Sequence, residues 1–300
     1  MKTQKVKGLD IVPPKHHSGE YKTPENMPRS HMVSVCIGKR NSGKTTAMVN
    51  MIENMGYDYA IVVSPTMKSN KELMARLNVK HVFEDPDCPK VVDKIKEIIE
   101  KEAADLERYR EEMRRYRKMM KAMNSPNGEL DDEDLIMFFG DNKDFMKPQH
   151  DYNGRAPMVI CLVDDCLGSM LYSKPRKLNA LSTYSRHIGQ LNEGGAIGIS
   201  LAFLLQSFKC QVGGLSKVIR NQCTNLIVFK TKDVTELKDI YESVAGEIDE
   251  LDFYNVYNEA IGDGANYPFL FIDLHKKPNQ PSMFRSKFNE YILVGNKIDA

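Results

Sequence analysis

The sequence predicts an α/β protein with a central, mainly parallel sheet flanked by helices. Two observations point there. Short apolar, β-branched runs alternate with helix-length amphipathic stretches along most of the 300 residues. A glycine-bearing octapeptide, Gly38 to Thr45, sits between the first such run and the first such stretch. In open α/β sheets that junction is where ligands bind.

The elements follow in order. Residues 1–30, rich in Lys, Pro and His, read as an extended N-terminal arm, and 31–300 as one domain. The strand-like runs are His31–Ile37, Tyr59–Thr66, Ala156–Asp165, Ile199–Ser207, Thr224–Lys230 and Pro268–Leu274. Helical patterns cover Thr45–Met55, Pro175–Leu191, Val212–Asn221 and Val234–Ala245. One segment breaks the rhythm. From Pro89 to Met123 the chain is almost continuously charged, with Ile95, Ile98, Ile99, Leu106, Tyr109, Met113, Tyr116 and Met120 at helical spacing. The spacing predicts a long amphipathic helix, or a helical hairpin if it bends. Ser125–Gly128 ends it, and an acidic stretch from Glu129 to Asp144 follows. The region at about 89–150 therefore reads as a long charged helical insertion between the second and third core strands. It is either a solvated helix packed on the core or a functional arm.

Composition narrows the function. A formal net charge of +1 argues against a protein that coats nucleic acid through global charge. No apolar run approaches bilayer length, so no membrane partner is expected, and the N-terminus lacks the apolar core of a secretory signal. Six scattered cysteines without a C-x-x-C pair point to reduced, buried thiols rather than zinc or disulfides.

Gly38-Lys39-Arg40-Asn41-Ser42-Gly43-Lys44-Thr45 matches G-x-x-x-x-G-K-[ST]. The glycines let backbone N–H groups converge on phosphate oxygens, and the following helix N-terminus adds partial positive charge. Lys44 supplies a point charge for the β- and γ-phosphates, and Thr45 a hydroxyl for Mg²⁺. With Thr46, these residues form the candidate nucleotide site. The run Met158–Val163 ends in Asp164-Asp165. Adjacent carboxylates at a buried strand end repel each other unless a cation is near. Asp164 is the candidate Mg²⁺ ligand beside Thr45, and Asp165 the candidate base for the attacking water. Gln206 closes the Ile199–Ser207 run and can hydrogen-bond the γ-phosphate or that water. Arg186 and Arg220 are two candidates for an arginine supplied to a neighbouring subunit's phosphates.

The ordered set GKRNSGKTT, ICLVDD, SRH, FLLQS and VIRNQCTNLIVFKTK, between Val33 and Leu274, resembles the genome-packaging ATPases of large double-stranded DNA viruses (poxviruses among them) and virophages. Those belong to the HerA–FtsK branch of the RecA-like P-loop motors. The resemblance implies a RecA-like P-loop NTPase fold and a ring-shaped homo-oligomer, hexameric or pentameric. It implies ATP and Mg²⁺ as cofactors, double-stranded DNA as the cargo driven into a preformed capsid, and a capsid vertex protein as partner. It places the protein at the viral assembly site of an infected host cell, and in the virion as a second location. By position, Asp164 and Asp165 match the acidic pair, Gln206 the sensing glutamine, and Arg186 the trans arginine, with Arg220 second. Many relatives end the acidic strand in Asp-Glu, whereas this chain has Asp-Asp.

Two other classes stay open. A nucleoside or nucleotide kinase shares the opening Gly-x-x-x-x-Gly-Lys-Thr-Thr, although the basic stretch Arg108–Lys121 precedes the acidic strand, the wrong order for most lids. A non-catalytic assembly protein has no need of the acidic pair. Within the motor class, a helicase or plasmid-transfer pump also fits. DNA contacts are expected from the basic half of the insertion or from Lys209–Lys217. The insertion or the C-terminal strand Phe288–Val294 could dock a capsid. ATP follows from the resemblance, because the N-K-x-D spelled by Asn296 to Asp299 lacks a following helix.

Overall fold

Strand β1 (Val33–Ile37) is buried along its whole length, as a continuous apolar run in a sheet covered on both faces requires. β2 (Tyr59–Val63), β4 (Val159–Asp164), β5 (Ser200–Leu205), β6 (Asn225–Phe229) and β7 (Phe269–Asp273) are buried likewise. These are the six core strands the sequence predicts, each trimmed at one or both ends. The structure, a computed structural model, describes residues 23–124, 146–210, 214–262 and 266–294.

Two further strands, β3 (Val79–Phe83) and β8 (Phe284–Ser286), were not legible, and a third, β9 (Glu290–Tyr291), is what forms of the expected C-terminal strand Phe288–Val294. β3 alternates partly buried and exposed residues because it is an edge strand. β8 and β9 are short. All nine join one sheet in the order β3-β2-β4-β5-β1-β6-β7-β8-β9. Pairings from β3 to β6 are parallel, and those from β6 to β9 antiparallel. The acidic strand is thus the fourth along the chain rather than the third, and β5 lies between it and β1.

Helices cover both faces. On one face α1 (Lys44–Met55) buries Met48, Met51, Ile52 and Met55 against Val62, Leu162 and Ala202. On the other, α3 (Val91–Met123), α5 (Arg176–Tyr184), α7 (Val234–Tyr241) and α8 (Glu250–Ala260) share one apolar cluster with Ile61, Cys161, Leu201, Leu226 and Leu270. Alternate residues of each strand serve the two layers, as the pleat demands. Short helices α2 (Lys71–Met74), α4 (Met170–Ser173) and α6 (Lys217–Arg220) fill the connections. The stretch expected to be helical over Pro175–Leu191 stops at Tyr184, turns once as a 3-10 helix to His187, and leaves Gly189 against Ile99 of α3. Of the Val212–Asn221 expectation only α6 forms, opened by Ser216, whose hydroxyl accepts from Ile219 N. Residues 211–213 lie outside the described residues. α8 falls outside the helical stretches expected from the sequence; Asp249 caps it by accepting from Asp252 N at 2.9 Å.

The charged segment is one unbroken helix, not a hairpin. At 33 residues it is about 50 Å long. Its first half is core: Val91, Val92, Ile95, Ile99 and Ala103 join the same apolar cluster as β2 and β4. In the basic second half Arg108 is paired with Asp105, Arg110 with Glu107, Arg114 with Glu193 and Arg115 with Glu111. The acidic stretch Glu129–Asp144 and its stop signal Ser125–Gly128 lie outside the described residues, as do the N-K-x-D residues and the arm's first 22 positions. Residues 23–30 run without regular structure beside the sheet's antiparallel end, where Lys277 donates to Pro24 O at 2.7 Å. In the 288–294 segment only Glu290–Tyr291 forms a strand, and Phe288 packs on the rings of Phe269 and Phe271. Of the six thiols, all free, Cys36, Cys161, Cys166 and Cys223 are buried, Cys88 is partly buried and Cys210 is exposed. Among the described residues no helix is long and apolar enough to cross a membrane.

Asp58 fastens the start of β2 to the start of β4. It accepts from Met158 N at 2.7 Å and is paired with Arg155, whose proton donors hold its carboxyl below the usual carboxylate range although burial opposes them. Replacing it with alanine is expected to cost about 1.5–3 kcal/mol, the range for hydrogen bonds to a charged group. Chemical denaturation reads this directly; an unchanged midpoint would mean the strand start is held by packing alone.

Candidate functional site

Gly38 N donates to Leu205 O at 3.1 Å, so the loop leaves β1 beside the end of β5. Two left-handed residues, Asn41 (φ 61°) and Gly43 (φ 92°), curl the loop back over the strand end. Helix α1 then begins at Lys44. Its N-cap is Gly43, no side chain caps it, and no acid stands in its first turn. The orphan N–H groups of that turn are therefore open to an anion. Ser42 Oγ is buried and has no hydrogen-bond partner among the described residues. Lys44 Nζ folds back and donates to Lys39 O at 2.9 Å.

The acidic pair stands across from the loop. Asp164 ends β4 and is only 3% exposed, whereas Asp165 is exposed, with φ 54°. The left-handed backbone turns the second carboxylate away from its neighbour's burial and into the crevice. Thr45 Oγ1 donates to Asp164 Oδ2 at 3.3 Å, joining helix start to strand end. Thr66 Oγ1, just beyond β2, donates to Asp165 Oδ2 at 3.3 Å. Burial, reinforced by the negative charge of Asp165, pushes Asp164 up to about 6 despite the pull of Thr45 and Lys44. Gln206 is exposed at the end of β5. Arg40, Asn41, Ser42, Gly43, Lys44, Thr45, Thr46, Thr66, Asp164, Asp165 and Gln206 all line one crevice of about 740 Å³ at the carboxyl ends of β1, β4 and β5. An oxygen-only pair, a hydroxyl beside a carboxylate, with phosphate oxygens arriving opposite, suits a hard divalent cation such as Mg²⁺.

Not every expected residue gathers there. Lys39 turns outward, 3.6 Å from Glu236, a buried carboxylate that also accepts from Phe208 N at 3.0 Å and Thr231 Oγ1 at 3.3 Å. Arg186 is exposed in the turn after α5 and lines a separate cavity of about 780 Å³ with Arg29, His31, Thr224 and Lys277. Val33 and Thr224 place that cavity at the amino ends of β1 and β6, the far end of the sheet from the loop. Arg220 donates to Leu215 O at 2.8 Å and lies over the Phe208 ring, 5.7 Å from its centroid. Neither arginine lines this chain's own crevice. Lys209 is held by Asp239 at 2.7 Å and Glu242 at 2.6 Å.

Three residues escaped the sequence reading. Thr66 follows an apolar run just as the acidic pair does, and that position was its signal. Glu236 stands three residues after Asp233, the N-cap of α7, at capping-box spacing. Tyr267, whose ring packs on Gly43, had none.

No family model matches the chain, and no curated protein does. Solved structures do. The genome packaging NTPase B204 of Sulfolobus turreted icosahedral virus 2, in complex with AMP, is 12% identical with a TM-score of 0.41, covering 81% of this chain and 92% of that one. B204, the DNA-packaging ATPase of Sulfolobus turreted icosahedral virus, is 13% identical with a TM-score of 0.42, covering 85% and 96%. The pCW3 conjugation coupling protein TcpA, with ATPγS, is 16% identical with a TM-score of 0.40, covering 81% and 57%. Similarity of this size assigns neither family nor activity.

Proposed function

We propose that this chain is a P-loop ATPase that couples Mg-ATP hydrolysis to translocation of double-stranded DNA, and that it packages a viral genome into a preformed capsid. One observation carries the hydrolytic reading. An uncapped helix N-terminus, a lysine, a threonine bonded to a buried carboxylate, a second exposed carboxylate and a glutamine share one crevice. DNA and packaging come from the resemblance of the ordered motifs.

The burial difference divides the acids' work. Buried Asp164, joined to Thr45, is placed to hold Mg²⁺ with the Thr45 hydroxyl. Exposed Asp165, oriented by Thr66, is placed to accept a proton from water. The loop's N–H groups and Lys44 bind and orient the phosphates, and Gln206 is placed to contact the terminal phosphate or the water. When bound, Mg²⁺ neutralises phosphate charge as it develops. Arg186, at the far end of the sheet, is offered to a neighbouring subunit in a ring rather than to its own nucleotide.

Steady-state ATP hydrolysis with and without linear double-stranded DNA tests this reading. Activity is expected to rise several-fold with DNA, to fall as salt rises, and to vanish when EDTA removes Mg²⁺. Hydrolysis indifferent to DNA but raised by a nucleoside or nucleotide acceptor would make the protein a kinase and retire the motor.

A further inference from the structure

The crevice sets the direction of a bound nucleotide. Asp164, Asp165 and Gln206 stand at the ends of β4 and β5, on one side of β1, so the terminal phosphate belongs there. The nucleoside then leaves the loop on the other side, over β6 and β7. Tyr267 occupies that side, two residues before β7. Its ring lies so close to the loop that a Cβ on Gly43 would sit 2.9 Å from its Cδ1. Only glycine at this position lets the ring approach.

Tyr267 has two further features that core packing does not explain. It remains 63% exposed, and its backbone is left-handed (φ 53°), a conformation bulky residues rarely adopt. The backbone thus holds a large ring in place while leaving much of it in water. Two cavities flank it. One, about 320 Å³, separates it from α1 and is lined by Thr46, Asn50, Asn54, Asn266 and Asn289. Asn50 Oδ1 accepts from Arg76 at 2.7 Å and Asn54 Nδ2 donates to Asn50 O at 2.8 Å, which leaves Asn50 a donor and Asn54 an acceptor. The other, about 760 Å³, opens toward Lys39 and Lys230. Amides both donate and accept, as the edge of a base requires.

We propose that Tyr267 is the stacking platform for the nucleobase of the bound triphosphate, a purine by preference, with these asparagines along the base edge. The proposal rests on the nucleotide reading above and adds to it the specificity-determining residue. The larger ring system of a purine covers more of the tyrosine face than a pyrimidine does, which sets the preference.

The chain has no tryptophan, so Tyr267→Trp installs a single reporter at the platform. Binding of ATP, CTP and inorganic tripolyphosphate is measured by calorimetry on the full chain, Tyr267→Ala and Tyr267→Trp. Stacking contributes about 1–3 kcal/mol per base, so Tyr267→Ala is expected to weaken ATP by about five- to 150-fold. Tripolyphosphate affinity stays unchanged, and any ATP-over-CTP preference shrinks. In Tyr267→Trp, ATP quenches the tryptophan emission and tripolyphosphate does not. Equal losses for ATP and tripolyphosphate would mean that the ring only shapes the loop, and would overturn the proposal. So would undiminished ATP affinity in Tyr267→Ala, or saturating ATP without quenching. A wild-type chain that binds neither ATP nor tripolyphosphate would sink the nucleotide reading itself, and the platform with it.

Discussion

Lys44→Ala is expected to leave a folded protein that hydrolyses ATP at least about a hundred-fold more slowly, the scale for losing one preorganised electrostatic contact to developing charge. The residue is half-buried, its ammonium contacts Lys39 O, and the helix it opens is held by Met48, Met51 and Ile52 in the core. Removing it therefore takes charge from the phosphate site without opening a cavity. Circular dichroism and the thermal midpoint should be close to wild type while steady-state turnover collapses. Turnover within a few-fold of wild type would mean that the crevice is not where phosphate is cleaved. Loss of fold along with activity would mean that the lysine holds the loop together.

Asp273→Ala is expected to destabilise the protein by about 3–5 kcal/mol, the cost of stranding one partner of a buried ion pair. Arg285, on β8, is fully buried, its Nη2 lies 3.4 Å from Asp273 Oδ2, and its guanidinium lies between the rings of Phe271 and Tyr291. It also donates to Asn26 O, tying residues 23–30 to the sheet, while its Nε has no partner among the described residues. Burial pulls the Arg285 pKa down and pushes that of Asp273 up, so each charge depends on the other. The two partners are not equivalent. A carboxylate left alone can take up a proton, but a guanidinium has no accessible neutral form. Arg285→Met is therefore expected to cost less than Asp273→Ala. Urea denaturation of both variants checks the size and the order, and equal midpoints for wild type and Asp273→Ala would show that the pair contributes nothing net.

Much of the fold was legible because parallel strands buried on both faces must be apolar throughout. β1, β2, β4, β5 and β6 read that way, and β7 did too, although it pairs antiparallel. β3 did not, because an edge strand carries Lys80 and His81 on a half-exposed ribbon. β8 did not, because its centre is an arginine whose burial depends on Asp273, twelve positions earlier. The charged helix showed its periodicity, but the pattern could not tell that its first half belongs to the core, since Val91 to Ala103 look no more apolar than a solvated helix allows.

For the site, the sequence alone determined the groups that chemistry forces into one short stretch. A loop that must curl around phosphate needs its glycines and lysine at fixed spacing, and a strand that must end in carboxylates writes them next to each other. Only the tertiary structure decided what depends on distance across the sheet. It put β5 and Gln206 between loop and acid pair, aimed Thr66 at Asp165, sent Arg186 to the opposite end, and laid Tyr267 on Gly43 from more than 200 positions away. Strand order and crossovers bring such residues together, and the cost of closing a long loop grows so slowly with its length that sequence separation leaves almost no local trace of contact.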